Sequence, residues 1–311
     1  MKTLKFIFSR PNIIFALSLL AGFLFPQAVS ISVFLILPAL MLIMTITPLK
    51  IPSGFFRRPK KLIPPAIYGN LLNYLLLCNL IIFLGIIFTR EEGFLLGMVL
   101  VAAAPPAVSM LSLNKLLRGD SALSLAGFAG TYIGALAIIP LIGLGFLKYI
   151  EINYWFILLI VLSLILLPLI ISRIIVEKEW DKMIQSHEGL ITDCCFFIVF
   201  YSIAAQCSNL ISDWSYDMSV IPIIAAVILP ATYFAIKKIG RAINAAESKI
   251  TSAILLGTLK NYGLAGGIAI LLFPPQAAFA ALAFAAVNII YTNWLSYPRV
   301  AAGKKTGKKK A

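Results

Sequence analysis

The residue best placed to do chemistry in this 311-residue chain is a lysine in the middle of an apolar run. Lys260 stands in Gly257-Thr258-Leu259-Lys260-Asn261-Tyr262-Gly263, about ten residues from either end of its stretch. A charged side chain at the centre of a membrane helix costs about 2.5–3.5 kcal/mol on insertion scales, so it calls for a role or a partner. At that depth its stem cannot easily carry the ammonium to water. A second interruption falls in another apolar run, where Pro105-Pro106 follows Ala102, Ala103 and Ala104. Two adjacent prolines delete two backbone donors and bar helix for the residue before them. Unwound peptide at mid-depth exposes N–H and C=O groups, and each half-helix end adds about half a unit charge. Such ends suit an anionic solute and a coupling cation. Asp193 is the other charge placed inside a stretch, either as a partner for Lys260 or as an interfacial group. Asn73, Asn79, Gln206, Asn209, Asn261 and Asn288 are neutral candidates for lining a cavity, as are Ser109, Ser112 and Ser124. Each alone is more often a helix–helix hydrogen bond than a ligand.

No catalytic constellation accompanies these residues. The chain lacks HExxH, GxSxG, a Walker A sequence and a pair of intramembrane carboxylates, and its single histidine, His187, falls in a polar loop. Acid–base or hydrolytic chemistry has little to work with, so an enzyme is not expected. Cys78, Cys194, Cys195 and Cys207 lie in apolar runs without metal-ligand spacing and read as small packing residues. Neither a cofactor nor a resident metal is expected.

The elements that must hold these residues follow from composition. The chain is 61% hydrophobic and 12% charged, with a mean hydropathy of +0.98. Soluble domains carry about 25% charged and about 45–50% apolar residues, so an ordinary soluble protein is excluded, as is a disordered one. Ten apolar stretches have the length of a membrane helix: 11–28, 30–49, 62–88, 94–117, 121–147, 153–176, 189–211, 218–236, 250–273 and 276–297. Runs such as 157–171 do not alternate as the strands of a membrane barrel would. The first run is longer than the h-region of a signal peptide and a second follows at once, so it reads as a membrane helix.

The net charge of +14 comes from 26 Lys and Arg against 12 Asp and Glu. With the N-terminus in the cytoplasm, 23 of the 26 basic residues fall in cytoplasmic segments and only Arg90 and Lys148 outside, with Lys260 left over. Basic residues collect on the cytoplasmic side. The expectation is therefore ten spans in the cytoplasmic (inner) membrane with both termini inside, and the charge records topology rather than nucleic-acid binding. The basic stretch 304–310 is either a solvated tail or a site for the anionic head groups of membrane lipids. Residues 55–61 read as a short interfacial segment.

Ten spans divide into two sets of five, and an odd set forces the second to enter from the opposite side. The expected fold is thus an all-α integral membrane protein of two inverted five-helix repeats, 1–149 and 150–298, with a basic tail at 299–311. The two interruptions fall in the fourth and ninth spans, position four of each repeat. Matched breaks point to a binding site between repeats. The alternative is two proline or glycine kinks without a ligand.

Ala104-Pro105-Pro106, followed by Leu116-Leu117-Arg118-Gly119-Asp120-Ser121-Ala122-Leu123-Ser124, resembles the fourth-to-fifth span junction of the bile acid:sodium symporter family. There the pattern reads roughly A-P-G-G … S-N … L-A-(K/R)-G-(N/D)-x-A-L-S. Asn261-Tyr262-Gly263-Leu264-Ala265 is similar to that family's ninth-span N-S-G-L-A. Gly69 to Tyr74 resembles its third-span G-x-x-x-Q-(F/Y), with Asn73 at the glutamine. The resemblance implies a panel of spans 1, 2, 6 and 7 and a core of spans 3–5 and 8–10, the fourth and ninth crossing at their unwound centres. It also implies an organic anion in the cleft between them.

The departures lie at the sodium sites that the resemblance implies. A Ser-Asn pair is replaced by Met110 and Leu111, a threonine by Phe128, and a glutamate and a glutamine by Leu256 and Lys260. Ser124 and Asn73 remain as a degenerate site. A hard cation wants oxygen ligands, so coupling is either absent, proton-linked or through this degenerate sodium site. The Lys260 ammonium is expected in the place of a sodium ion, near Thr258, Asn261, Gly263, Pro105 and Pro106. The reading is a secondary, symporter-like transporter of a small organic anion working by alternating access. The alternatives are a proton-coupled or uncoupled exporter or antiporter of the same fold, and a non-transporting membrane sensor or assembly subunit.

Overall fold

Apolar runs punctuated by proline, glycine and short polar turns leave the backbone one way to satisfy itself in lipid, which is helix. In the computed structural model, which describes residues 11–51, 59–146 and 154–307, fifteen α-helices and no strands are present among the described residues. They are α1 (Pro11–Leu24), α2 (Val29–Ile46), α3 (Pro59–Asn70), α4 (Asn79–Phe88), α5 (Glu92–Ala103), α6 (Ser109–Leu116), α7 (Ser121–Phe146) and α8 (Tyr154–Val161). There follow α9 (Leu167–Glu177), α10 (Asp181–Gln185), α11 (Glu188–Cys207), α12 (Tyr216–Ala242), α13 (Glu247–Thr258), α14 (Tyr262–Leu272) and α15 (Pro275–Gly307). Wider π-helical turns join α3 to α4 at Leu71–Cys78 and α8 to α9 at Leu162–Leu166.

Eight helical runs among the described residues are long and apolar enough to cross a membrane. They are Pro26–Leu49, Leu62–Phe88, Ser121–Ile142, Leu158–Glu177, Glu188–Ile211, Tyr216–Ala242, Glu247–Leu272 and Pro275–Tyr297. Ile13–Leu24 and Glu92–Ala103, at the first and fourth expected spans, are shorter apolar helices. The fourth falls short because Pro105-Pro106 divides it. This is a multi-pass membrane protein. Its surface agrees, since Phe34, Trp155 and Ile290 are each more than two-thirds exposed, at 82%, 72% and 71%. Water would not tolerate so much apolar surface, but lipid tails do. The basic residues of 2–10 and 308–310, Lys148, and all but the end of the expected interfacial segment 55–61 lie outside the described residues.

The helices pack in two groups. In one, α1 and α2 lie against α11, and α9 against α2. In the other, α3 lies against α7, α5 against α4 and α15, α13 against α12, and α15 against α12 and α14. The α3–α7 contact brings backbones together: a Cβ built on Gly69 would lie 2.8 Å from the Cα of Gly127, and one on Gly130 would lie 2.4 Å from the Cβ of Ala66. Small residues at such spacing let membrane helices approach closely. The ninth expected span runs through the middle, with every residue from 252 to 270 buried. A helix apolar all round and enclosed all round can hold a charge only if protein supplies its partners.

Candidate functional site

Both interrupted helices break where the sequence denies them donors or offers turn residues. Helix α5 stops at Ala103 and Ala104 turns extended, with φ −63° and ψ 142°. The chain resumes helix at Ser109, after Met110 N–H has bonded the Ala107 carbonyl at 3.0 Å. Helix α13 stops at Thr258, and Leu259 is extended with φ −96° and ψ 139°. Asn261 restarts it as the N-cap of α14, its Oδ1 accepting from Leu264 N–H at 3.0 Å. The two breaks touch, because the Asn261 backbone N–H donates to the Pro105 carbonyl at 2.7 Å.

Lys260 lies at this meeting point, with no solvent exposure. Its Nζ donates to the Ala102 carbonyl at 2.6 Å, the Ala104 carbonyl at 3.0 Å, the Asn73 Oδ1 at 2.7 Å and the Asn73 carbonyl at 3.1 Å. The Tyr74 ring lies 4.8 Å from it as a cation–π partner. Asn73 works on the other break: its Nδ2 donates to the carbonyls of Leu256 at 3.0 Å and Leu259 at 3.3 Å. Lys260 therefore caps the C-terminus of α5, Asn73 caps the C-terminus of α13, and the two caps hydrogen-bond each other. Each helix C-terminus carries about half a negative charge. The two ends together are matched by one ammonium. Asn73 sits in the π-helical turn Leu71–Cys78, a geometry that frees backbone carbonyls and recurs at functional sites.

A cavity of about 450 Å³ opens beside the breaks. Its walls come from α1 (Ile14, Phe15) and α11 (Asp193, Phe196, Phe200) on one side. On the other they come from α6 along its length, from the N-terminal end of α14 and from one face of α15. Ser109 and Ser112 of α6 face it, as do Lys260, Asn261 and Gly263 at the second break. Asn288, Thr292, Asn293 and Ser296 form a polar stripe on α15. The α6 and α14 ends are helix N-termini, which carry partial positive charge.

The sequence-predicted residues divide accordingly. Lys260, Asn261, Asn73, Pro105 and Pro106 are joined where the two breaks meet, and Pro106 also accepts a 3.2 Å hydrogen bond from the Tyr132 hydroxyl. Ser109, Ser112, Asp193, Gly263 and Asn288 line the cavity. Thr258 and Ser124 are buried but turn back on their own helices, Thr258 to the Ile254 carbonyl at 2.7 Å and Ser124 to the Asp120 carbonyl at 2.9 Å. Asn79 does the same with Leu75 at 2.7 Å. Gln206 and Asn209 line a separate pocket between α11 and the α1–α2 turn. Asp193 and Lys260 share the cavity, yet no bond joins them: the Lys260 hydrogen bonds go to Asn73, Ala102 and Ala104. Phe128 and Leu256 are fully enclosed, and neither side chain brings an oxygen.

The motif around Arg118-Gly119-Asp120 builds a second junction. Arg118 takes φ 59°, Gly119 N–H returns to the Asn114 carbonyl at 2.8 Å, and Asp120 Oδ1 accepts from Leu123 N–H at 2.9 Å as the cap of α7. Ser252 of α13 donates to Asn114 Oδ1 at 2.7 Å, tying this turn to the broken helix. Sequence reasoning missed Tyr132, whose hydroxyl also receives Asn261 Nδ2 at 3.4 Å, and the Ala102 and Ala104 carbonyls. Backbone acceptors leave no mark in residue type; a tyrosine in an apolar run is a weak signal. Among the described residues, no group of three or more His, Cys, Asp or Glu could hold a metal ion. No protein-family model matches the chain, and no curated protein matches it.

Proposed function

We infer that this chain is a secondary transporter of the bile acid:sodium symporter kind, moving a small organic anion across the cytoplasmic membrane by alternating access. The carrying observation is the meeting of two helix breaks at a buried lysine, beside a cavity between two helix groups. In this reading the fourth and ninth of ten spans cross at Lys260, and two inverted five-helix repeats supply one break each. The panel is α1, α2, α8, α9 and α11; the remaining helices apart from the small α10 form the core. Lys260 takes the place of a sodium ion: an oxygen cage that would ligate a cation holds an ammonium instead. The anion is drawn to the partial charges of the α6 and α14 N-termini.

Two further observations support alternating access. The cavity reaches toward the Lys115–Arg118 end of α6 and the Glu188 end of α11, which the distribution of basic residues assigns to the cytoplasm. Away from the cavity, α14 is pressed against two of the panel helices, α11 and α2. A Cβ on Gly266 would lie 2.5 Å from Ile203 Cδ1, and one on Gly267 would lie 2.4 Å from Leu40 Cδ1. A cleft open at one end and packed at the other suits one state of a carrier cycle.

The test is uptake into liposomes, with sodium and pH gradients imposed separately, for wild type, Lys260→Gln and Lys260→Ala. Candidate anions are chosen by thermal stabilisation, since a ligand stabilises by RT ln(1 + [L]/Kd). The expected result is sodium-independent flux that Lys260→Ala abolishes. Sodium-dependent flux indifferent to Lys260 would overturn the role given to the lysine. Binding without flux would favour a sensor.

A further inference from the structure

Among the described residues, the cavity wall carries one carboxylate without a partner. Asp193 lines the cavity, is half-buried, and has no hydrogen-bond or ion-pair partner among the described residues. The lysine across from it does not serve, because its ammonium is spent on Asn73, Ala102 and Ala104. Beside Asp193, Phe196 and Phe200 stand three and seven residues on along the same face of α11, and both line the cavity. Phe15 adds a third ring. A half-buried carboxylate keeps part of its hydration, and a ligand that fills the cavity and displaces that water must bring a counter-charge to replace it.

The other end of the cavity has the opposite sign. The α14 N-terminus is level with the stretch from Phe196 to Val199, since a Cβ on Gly263 would lie 3.6 Å from Phe196 Cε1 and 3.8 Å from Val199 Cγ1. At about 1.5 Å rise per residue, that places it about 5–9 Å along α11 from Asp193. A molecule with an anionic and a cationic end can bridge this interval. Two charge-assisted hydrogen bonds of about 2.8 Å each, plus about 3 Å between the amine and carboxylate of an amino acid, span about 9 Å.

We propose that the cavity's ligand is an amphipathic amino carboxylate, its carboxylate at the α6 and α14 N-termini, its amine on Asp193 and its apolar body against Phe15, Phe196 and Phe200. The inference rests on the reading of this cavity as the solute site, and it narrows the organic anion to one that also carries a cation. A simple organic anion would meet the Asp193 carboxylate with nothing to offer it.

The experiment uses three probes of one skeleton on the purified full-length protein in detergent: phenylalanine, phenethylamine and 3-phenylpropionate. Each is titrated by thermal shift against wild type, Asp193→Asn and Asp193→Glu. Phenylalanine is expected to stabilise wild type more than either single-charge probe. Asp193→Asn should weaken phenylalanine binding by about tenfold or more, as for loss of one partner of a charge pair that the bound ligand covers. Asp193→Glu should retain the preference, and unliganded melting temperatures control for folding. Equal stabilisation by 3-phenylpropionate and phenylalanine would overturn the proposal. So would equal stabilisation by phenethylamine, or a preference for phenylalanine that survives Asp193→Asn. Liposome flux separates the two readings: flux of a simple anion indifferent to Asp193 sinks this proposal alone, whereas Asp193-dependent binding without flux sinks the transport reading alone.

Discussion

Replacing Lys260 by methionine keeps most of the stem's volume and removes only the ammonium. Four oxygens then lose that donor inside the protein: Asn73 Oδ1 and the carbonyls of Asn73, Ala102 and Ala104. Ala102 cannot recruit the usual donor four residues on, because that residue is Pro106. A buried polar group left unsatisfied costs about 1–3 kcal/mol, giving a gross loss of up to about 4–12 kcal/mol. Several kcal/mol return because no ammonium has to be desolvated. The expected net loss is about 3–5 kcal/mol, the usual cost of removing one partner from a buried charged network. For a chain of this size that corresponds to about 6–10 °C at about 2 °C per kcal/mol. The assay is thermal unfolding followed by tryptophan fluorescence in detergent, at one scan rate for all variants. Lys260→Ala adds a sharper arm, because it vacates the oxygen cage. Its melting temperature is expected to rise with sodium chloride but not with choline chloride at equal ionic strength, while wild type distinguishes the two salts little. A Lys260→Met protein melting within about 1 °C of wild type would refute the reasoning, since the caged carbonyls would then need no donor.

Other perturbations test the packing and the topology. Gly97→Ala places a methyl group 2.3 Å from the Ala277 carbonyl oxygen and 2.8 Å from its Cα, so α5 and α15 must move apart; a loss of about 1–3 kcal/mol is expected by thermal unfolding. Gly263→Ala, whose nearest neighbour is 3.6 Å away, should leave the melting temperature within about 1 °C. Asp217, 1% exposed, accepts from the backbone N–H of Arg90 at 3.0 Å and of Glu91 at 2.8 Å, so Asp217→Ala should cost about 2–4 kcal/mol while Asp217→Asn costs less. In a background without native cysteines, Ser186→Cys should react with a membrane-impermeant maleimide only after cells are opened, and Asp213→Cys in intact cells. The reverse pattern would invert the orientation drawn from the basic residues.

Much of the helical frame was legible because length and hydropathy are properties of whole stretches. The eight long apolar helices coincide with expected spans, and the break at Pro105-Pro106 follows from missing N–H groups. Lys260 was legible for the same kind of reason: a charge that deep must be accounted for. Its partners were not, because two of them are backbone carbonyls and the third, Asn73, stands 187 positions away. Asn73 and Asn79 look alike in the sequence, yet one crosses to another helix and the other bonds its own. The hydroxyls misled for a local reason. Serine and threonine close cheaply onto a carbonyl three or four residues back, as Ser124 and Thr258 do, and so leave the site they border. The π-helical turn that carries Asn73 has the same apolar composition as ordinary helix, so nothing in hydropathy announces it.

The ammonium held between the two breaks has one more consequence. A diffusible ion enters a carrier from one compartment and leaves into the other, and its fall in chemical potential is the work that drives solute uphill. A cation joined to the backbone makes the same contacts but has no second compartment to fall into. It completes every cycle where it began, and its net contribution to the work of that cycle is zero. If the chain carries solute as proposed and no proton takes over the task, it brings the two sides to equal electrochemical potential faster, and the solute's own gradient sets the direction of net flow.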